Sequence, residues 1–327
     1  YDISIKYNNL SAKAKVSNLL ANYGNPFVNS FTKSEKINQA GIKAALDSGE
    51  FEHGGYCLAN DTVILFLRGE LLSKFENLLP DRFTLAKTFN HSLTFDILTA
   101  VEFIIKFLVR ESSDLDQERL EILFVESFAQ KSANWPFAIY KILKQFSNFC
   151  LGLYEVCFRE TEEVEKLLPY VNGTPYVAEH KFTQSLIFTK YYNELSILEK
   201  ENILVAINSN LAQLRKWSDS CPENYLHKLY LVEAEKIRIS GNSWEALKYY
   251  DLAVENAKAN GFIQNAALAN ELAGIMLLDD GYLKLASPYF VEAFNLYEAW
   301  GSKRKISQLK ERYIYSFKYT FLLFILK

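Results

Sequence analysis

Residues 241–261 read GNSWEALKYYDLAVENAKANG, and residues 281–301, 40 positions further on, read GYLKLASPYFVEAFNLYEAWG. Both stretches begin and end with glycine. Each also contains two alanines seven residues apart, which are Ala246 and Ala253 in the first stretch and Ala286 and Ala293 in the second. Alanines at this spacing lie on one helix face, where a small side chain lets a neighbouring helix approach closely. A hairpin-containing period of about 34–47 residues is typical of a stacked α-helical solenoid.

Apolar residues recur with the helical period of 3.6 through nearly all of the chain. The predicted helices cover Ser11–Tyr23, Ser34–Leu46, Phe51–Leu67, Leu71–Leu79, Phe95–Arg110, Leu115–Gln130, Pro136–Phe158, Val177–Asn193, Ile197–Trp217, Glu223–Ile239, Trp244–Ala259, Ile263–Leu278 and Tyr282–Trp300. No Gly/Ser/Pro-rich run divides them, so one array is expected over residues 1–313, most regular over 197–313. The predicted fold class is all-α: an α-solenoid of stacked antiparallel helical hairpins, a tetratricopeptide-like superhelix.

The two ends of the chain differ from those of a complete gene product. The chain begins with Tyr1, and its one methionine is Met276, which indicates a piece of a longer polypeptide. Residues 314–327 are apolar and aromatic but shorter than the roughly 20 residues of a transmembrane helix. They could form a last helix that covers the array. A terminus left by truncation or by an altered reading frame is the preferred interpretation.

Composition excludes several functional classes. Of the 327 residues, 49% are hydrophobic and 23% charged, as in a folded protein, and the net charge is −3. Without a basic stripe, nucleic-acid binding is not expected. The four cysteines, Cys57, Cys150, Cys157 and Cys221, form no CxxC pair. We therefore expect reduced packing thiols, a cytoplasmic location, no metal and no membrane association.

The second half of the chain resembles a known group of proteins. Residues 241–253 resemble the second helix of a tetratricopeptide repeat. Over a longer stretch, the order of several short segments is similar to that in the helical-repeat region of the large hybrid kinases of cyanobacteria and other bacteria. These segments are CPENYLHK at 221–228, LVEAE at 231–235, ALANELA at 267–273 and LKERY at 309–313, with Gly261-Phe262 and Trp300-Gly301. Phe27–Asn29, Ala45–Glu50 and Gly55-Tyr56 with Ala59 extend the resemblance into the first half.

The resemblance implies a signalling context. In that family a serine/threonine kinase-like domain and an AAA-type ATPase module precede the repeats, and a GAF domain and a histidine kinase follow them. The chain departs from this pattern after Tyr313. The resemblance therefore implies a repeat region that relays signals in a two-component system, and not an ability of residues 1–313 to catalyse phosphoryl transfer.

No catalytic motif is present in the sequence. It lacks GxxxxGK[ST], HExxH, GxSxG and GxGxxG, and it lacks the kinase HRD and DFG motifs. The four histidines, His53, His91, His180 and His227, are scattered. His227 is interpreted as a capping or packing residue, since no acid/base partner is placed beside it. No catalytic, cofactor-binding or metal-binding residue is assigned, no cofactor is predicted, and the segment is not expected to be an enzyme.

Other polar and aromatic groups have structural interpretations. Paired carboxylates occur at Glu233/Glu235, Glu162/Glu163 and Asp279/Asp280. Carboxylates two residues apart on a helix point to different faces, and the adjacent pairs are predicted to be solvated. The cluster at 303–305 (Lys-Arg-Lys) is also predicted to be a solvated helix surface. Trp217, Trp244 and Trp300 are interpreted as wedges between repeats, with a partner-binding anchor as the alternative.

These observations favour one function over two others. The leading hypothesis is a non-catalytic interaction and signal-relay module that couples an ATPase or kinase region to a partner protein or to adjacent domains of the same polypeptide. The first alternative is a ligand- or protein-sensing repeat domain of an ATPase-type transcriptional regulator. The second is an all-α enzyme whose site is assembled from dispersed residues.

Overall fold

A computed structural model describes residue 4 and residues 9–110, 115–131 and 133–313. Over these residues the chain is all-α, with fifteen α-helices and no strand. Neighbouring helices are joined by short turns and pack in consecutive pairs, as the predicted class of stacked helical hairpins requires. The predicted apolar tail at 314–327 lies outside the described residues.

The helices of the first half are α1 Leu10–Leu19, α2 Phe31–Ser48, α3 Phe51–Leu67, α4 Leu72–Phe89, α5 Ser92–Val109, α6 Leu115–Lys131, α7 Asn134–Cys150, α8 Tyr154–Leu167 and α9 Pro175–Tyr191. Those of the second half are α10 Ile197–Ser220, α11 Pro222–Ile239, α12 Ser243–Ala259, α13 Ile263–Asp279, α14 Leu283–Trp300 and α15 Lys303–Arg312. A single π-helical turn, Leu20–Gly24, extends α1.

The chain divides into two compact units. Unit 1 consists of Tyr1–Phe107, Ser113–Gln145 and Glu162–Glu179; unit 2 consists of Leu108–Ser112, Phe146–Thr161 and His180–Lys327. In unit 1, α2 packs against α1 and against α3. In unit 2, α11 packs against α10 and α12, and α13 packs against α12 and α14. That residues 1–313 form one array stays a prediction.

The two copies of the 40-residue repeat have equivalent backbone geometry. The amide of Gly241 donates to the carbonyl of Arg238, and that of Gly281 donates to Leu278, 40 residues later, each over 3.0 Å. Both glycines have positive φ, 88° and 84°, which a residue with a Cβ rarely adopts. The four repeat alanines, Ala246, Ala253, Ala286 and Ala293, are buried. The predicted hairpin turns and small-residue contacts are therefore confirmed.

Replacing Ala253 by phenylalanine is expected to destabilise unit 2 by about 1–3 kcal/mol, because a large ring overpacks a closed helix contact. Ala253 lies on α12 and is only 1% exposed. The matched control is Ala259→Phe, since Ala259 is exposed on the same helix. Thermal and urea unfolding should show a loss for the first variant alone. Equal stability of the two variants would show that the α12 contact has room for a ring.

The structure corrects the predicted end of the helix that precedes Pro80. We expected this helix to stop at Leu79, but α4 continues through Pro80 to Phe89. Proline removes one backbone donor and leaves the carbonyl four residues earlier without its helical partner. Pro80 is exposed, so water can satisfy that carbonyl, and Thr84 Oγ1 donates to the carbonyl of Pro80 over 3.0 Å. A solvent-facing proline therefore did not end the helix.

A second correction concerns the helix predicted over Pro136–Phe158, which is two helices, α7 and α8. Gly152 separates them with φ +68°, a conformation that favours glycine over other residues. Its amide donates to the carbonyl of Phe149 over 2.9 Å, and the amide of Leu153 donates to that of Asn148 over 2.9 Å. These two hydrogen bonds close the end of α7 in the way that a left-handed C-terminal cap does.

The predictions missed the last described helix, α15, and assigned Lys305 wrongly to the solvent. Lys303 is exposed, as expected, whereas Lys305 is 1% exposed and ion-pairs with Glu271 of α13 over 2.6 Å. Tyr297 Oη donates to the same carboxylate over 3.1 Å. The apparent basic surface is therefore in part a buried tie between α13, α14 and α15.

No helix within the described residues is both long enough and apolar enough to cross a membrane.

Candidate functional site

The four histidines do not converge on one site. His53 Nδ1 lies 3.0 Å from Glu50 Oε1, and His91 Nδ1 lies 2.7 Å from Thr94 Oγ1. His227 is 1% exposed, its Nε2 accepts a hydrogen bond from Asn265 Nδ2 over 2.8 Å, and its ring lies 4.3 Å from that of Phe262. The packing interpretation of His227 agrees with this environment.

His180 differs from the other three because it is fully buried, and neither ring nitrogen has a hydrogen-bond partner within the described part of the chain. Burial lowers its pKa to about 3, with a smaller contribution from Lys181. The imidazole is therefore neutral at pH 7. A fully enclosed neutral ring of this kind fills space in the core and has no contact with solvent.

The paired carboxylates are separated as predicted. Glu233 ion-pairs with Arg215, whereas Glu235 is buried and pairs with Arg238 on its own helix over 2.7 Å. Burial opposes ionisation of Glu235, but Arg238 and hydrogen bonds from Tyr250 and Thr189 together hold its pKa below the ordinary value. This cluster joins α9, α11 and α12 and leaves no carboxylate oxygen facing a cleft.

The carboxylates of the other two pairs, Glu162/Glu163 and Asp279/Asp280, are exposed. Glu162 pairs with Lys166 on the same helix, and Asp279 and Asp280 lie at the solvent-exposed end of α13. Within the described ranges, no group of three or more His, Cys, Asp and Glu side chains is placed to hold a metal ion. Neither the histidines nor the carboxylates therefore supply a candidate site.

All four cysteines are buried. Burial raises the pKa of Cys57 and of Cys157 to about 12 and that of Cys221 to about 11. A thiol with such a pKa is protonated at neutral pH and is a poor nucleophile. The packing role expected for these residues agrees with their environment.

The three tryptophans singled out in the sequence lie in different environments, all in unit 2. Trp300 is fully buried, and Trp217 is half-buried with its ring centroid 6.0 Å from that of Tyr225. Trp244 is 55% exposed and lies 5.4 Å from the ring of Tyr282 at the end of the repeat hairpins. Trp244 is therefore not enclosed by its neighbours.

Sequence reasoning missed a cleft in unit 1, which we call the aromatic cleft. It encloses about 220 Å³ and is lined by seven residues from five elements: Asn18 and Leu19 of α1, Tyr23 of the π turn, Tyr56 and Asn60 of α3, Leu93 of α5 and Trp135 of α7. Leu19 and Tyr23 are exposed at its rim. The cleft is smaller than the roughly 300–1,000 Å³ of sites for drug-sized ligands, so it suits one side chain.

Buried amides hold the rim of the aromatic cleft. Asn22 and Asn38 exchange side-chain hydrogen bonds of 3.1 and 3.3 Å, which attach the π turn to α2. Asn22 Nδ2 also donates to Asn18 Oδ1 over 2.9 Å, and Asn25 Nδ2 donates to Ser34 Oγ over 2.8 Å. Because these amides are buried and hydrogen-bonded, they hold the backbone on both sides of Tyr23.

Aromatic contacts hold the inner wall of the aromatic cleft. The ring of Tyr56 lies 5.4 Å from that of Trp135 at an interplanar angle of 74°, and 4.7 Å from that of His91 at 75°. His91 packs on Gly55, where an added Cβ would lie 2.7 Å from its ring. Tyr176 Oη donates to Asn60 Oδ1, so the inner amide is also anchored. The inner wall is therefore preorganised.

The aromatic cleft has no charged residue among its described lining residues. Burial raises the pKa of Tyr56, and the carboxylate of Glu52 adds to this effect. Burial lowers the pKa of His91 and Glu52 opposes it, so the imidazole beside Tyr56 is neutral at pH 7. The carboxylate of Glu52 therefore acts on both Tyr56 and His91.

The aromatic cleft has no compact signal in the sequence. Its lining residues extend along the chain from Asn18 to Trp135. Those that come from different α-helices are far apart in the sequence. Trp135 directly before Pro136 was the available cue, since a large aromatic at a helix start is a common anchor. Only the packing of α1, α3, α5 and α7 brings the lining together.

A second cavity, of about 200 Å³, lies in unit 2 beside α15. It is lined by Leu151, Leu153, Arg304, Ser307, Gln308 and Glu311. Gln308 Nε2 donates to the carbonyl of Leu151 over 2.5 Å, which occupies part of its polar lining. The guanidinium of Arg304 and the carboxylate of Glu311 both border it, so their charges largely offset each other. This cavity therefore favours no class of ligand.

Comparison with known proteins places no relative beside this chain. No family model, no curated protein and no solved structure matches it.

Proposed function

We propose that this chain is a non-catalytic helical-repeat module that holds a segment of a partner protein, or of an adjacent domain of the same polypeptide, in the aromatic cleft of unit 1. The observation that carries the proposal is the cleft itself: a preorganised pocket with two tyrosines and a tryptophan, open at Leu19 and Tyr23. Partly exposed aromatics in a rigid pocket are the side chains that dominate binding energy at protein interfaces.

The polar lining supports an extended peptide as the bound segment. Asn18 Oδ1 accepts from Asn22, whereas Asn18 Nδ2 makes no hydrogen bond within the part of the chain that the structure describes. An amide donor at the edge of an apolar pocket matches a peptide carbonyl, while the pocket takes a neighbouring side chain. Helical-repeat proteins commonly bind extended partners in this way.

The cellular setting in the proposal rests on the resemblance of residues 221–313 to the repeat region of hybrid signalling kinases. In that setting the module is cytoplasmic, and it couples an ATPase or kinase region to an output by binding one segment in preference to another. Without a phosphate cradle or metal site in its sequence, it acts through binding and does not turn over a substrate.

Binding should depend on Trp135 and not on Trp244. Peptides selected from a random phage-displayed library on the full chain would be titrated by calorimetry against Trp135→Ala and Trp244→Ala. Both substitutions remove a partly exposed tryptophan, one in the aromatic cleft and one in unit 2. Loss of a central aromatic anchor costs about 2 kcal/mol or more, so Trp135→Ala should weaken binding about thirtyfold while Trp244→Ala changes it little.

Thermal unfolding of both variants establishes that each is folded before titration. Selected peptides that bind Trp135→Ala as tightly as the parent chain would contradict the assignment of the aromatic cleft. If those peptides instead required Trp244, the partner surface would lie on the repeat hairpins of unit 2.

A further inference from the structure

We propose that the side chain held in the aromatic cleft is a quaternary ammonium, specifically the trimethylated ammonium of a lysine in the bound peptide. The inference rests on the proposed function, because it names the chemistry of the side chain that enters the same cleft. It follows from three properties of the lining: its aromatic rings, the hydrogen bonds that its amide oxygens already accept, and its charge.

The rings suit a compact cation. The faces of aromatic rings carry negative potential and attract ammonium groups, and quaternary ammonium is the cation most often recognised by several rings together. Tyr56 and Trp135 stand at 74° with centroids 5.4 Å apart, so their planes form two sides of a corner. Tyr23 lines the same cleft, and no described ring is stacked on it. The three rings thus line one cleft of side-chain size.

The hydrogen-bond acceptors of the cleft favour a cation without N–H groups over lysine and arginine. The amide oxygens of Asn18 and Asn60 already accept hydrogen bonds, from Asn22 and Tyr176 respectively. An unmodified lysine brings three N–H donors and an arginine five, more than the one remaining lone pair on each of these two oxygens can accept, and donors buried without acceptors are costly. A trimethylated ammonium has no N–H group, so it keeps its charge without needing an acceptor in the cleft.

The charges around the cleft favour a cation over an anion or a neutral group. No lysine or arginine lines it among the described residues. Two histidine rings neighbour that of Tyr56: His91 at 4.7 Å, whose pKa is lowered by burial, and His53 at 6.3 Å, whose Nδ1 lies 3.0 Å from Glu50 Oε1. The carboxylate of Glu52 acts on both Tyr56 and His91. A positive group entering the cleft therefore meets aromatic faces and a nearby negative charge.

The test uses three blocked tripeptides of Gly-Lys-Gly type on the full chain. One carries trimethyllysine, one carries lysine, and one carries the neutral isostere in which carbon replaces the quaternary nitrogen. Binding is followed through the indole N–H signal of Trp135 by NMR, which detects weak association. Trimethyllysine should bind about tenfold more tightly than the isostere, the expected size of a partly desolvated cation–π contribution, and more tightly than lysine.

The variants separate charge recognition from apolar contact. Trp135→Leu and Tyr23→Leu keep an apolar lining but remove a ring, and each should abolish the preference for trimethyllysine over the isostere. Because Trp135→Leu lacks the indole signal, its affinities are measured by calorimetry. Tyr23 is exposed, so Tyr23→Leu preserves the test if Trp135→Leu does not fold; its readout is the Trp135 signal itself. Trp244→Leu, outside the cleft, should leave the preference unchanged.

Equal affinities for trimethyllysine and the isostere would overturn the inference while leaving a peptide-binding cleft intact. The inference would also be overturned if neither the trimethyllysine tripeptide nor the isostere bound while display-selected peptides still required Trp135. If free choline bound as tightly as the trimethyllysine tripeptide, the assignment of the cation to a lysine in a peptide would be wrong. Display-selected peptides that do not need Trp135 would instead overturn the proposed function.

Discussion

Replacing Lys305 by methionine is expected to destabilise the protein by about 3–5 kcal/mol, the usual effect of removing one partner from a buried ion pair. Lys305 is 1% exposed, and its Nζ lies 2.6 Å from Glu271 Oε1 and 2.9 Å from Gln308 Oε1. Glu271 is equally buried. Without the ammonium its carboxylate keeps, among the residues that the structure describes, only the hydrogen bond from Tyr297, so a largely uncompensated charge remains in the core of unit 2.

The double variant Glu271→Leu/Lys305→Met should recover most of this loss, because replacing both charges by apolar side chains of similar volume is often nearly neutral. Lys303→Met, on the exposed side of the same helix, is the matched control. Urea unfolding of the parent, Lys305→Met, Glu271→Leu and the double variant gives the coupling free energy of the pair. A loss below about 1 kcal/mol for Lys305→Met would place this lysine in water and remove the tie between α13 and α15.

The second large effect is expected in unit 1, where Arg82→Met should also cost about 3–5 kcal/mol at pH 7. Asp61 is fully buried, with one carboxylate oxygen paired with Arg82 and the other without a hydrogen-bond partner among the described residues. Arg82 Nη1 also donates to Thr62 Oγ1 over 2.5 Å. The guanidinium therefore compensates a carboxylate that has little other support.

The pH dependence of this loss identifies its cause. Burial raises the pKa of Asp61 above its ordinary value of 3.8, and the charge of Arg82 opposes that rise. The variant lacks the opposing charge of Arg82, so burial raises the pKa further and the native state binds a proton more tightly than the unfolded state does. Stability of Arg82→Met relative to the parent should then improve as pH falls through the native pKa of Asp61.

Asp61→Asn/Arg82→Met should recover part of the loss at pH 7 and should lack this pH dependence. Lys74→Met is the control, since Lys74 is a partly exposed cation on the same helix, α4. A deficit for Arg82→Met that is constant from pH 4 to pH 7 would mean that Asp61 is not the charge being left uncompensated.

The repeat was predictable because its signals are local. Gly241 and Gly281 lie at turns that require positive φ, and Ala253 and Ala293 lie where helices touch. Both requirements act within a few residues of the turn, so spacing alone reveals them. Helix class and most helix positions followed from the same short-range rules.

The errors came from features that depend on distant partners or on solvent. A proline ends a helix only where the carbonyl that loses its hydrogen bond is buried, and Pro80 is exposed. Lys305 resembles a surface residue until Glu271, 34 positions earlier, is placed against it. The break between α7 and α8 at Gly152 was also not predicted, because a lone glycine inside a long apolar pattern is compatible with either a helix or a break.

The aromatic cleft could not be predicted for the same reason. Asn18 and Trp135 approach each other only after four helices have packed, and the amide network on both sides of Tyr23 joins residues up to 16 positions apart. Aromatic content indicated abundant large side chains, but not which of them stay accessible.

The claim that this module binds its partner in the aromatic cleft is tested most directly through its four tryptophans. Each gives one indole N–H signal, assigned by single Trp→Phe variants, and together they report on the cleft and on three sites in unit 2. On titration with a display-selected peptide, the account predicts a saturating shift of the Trp135 signal while those of Trp217, Trp244 and Trp300 stay in place. A saturating shift confined to Trp244, with Trp135 unchanged, would contradict it.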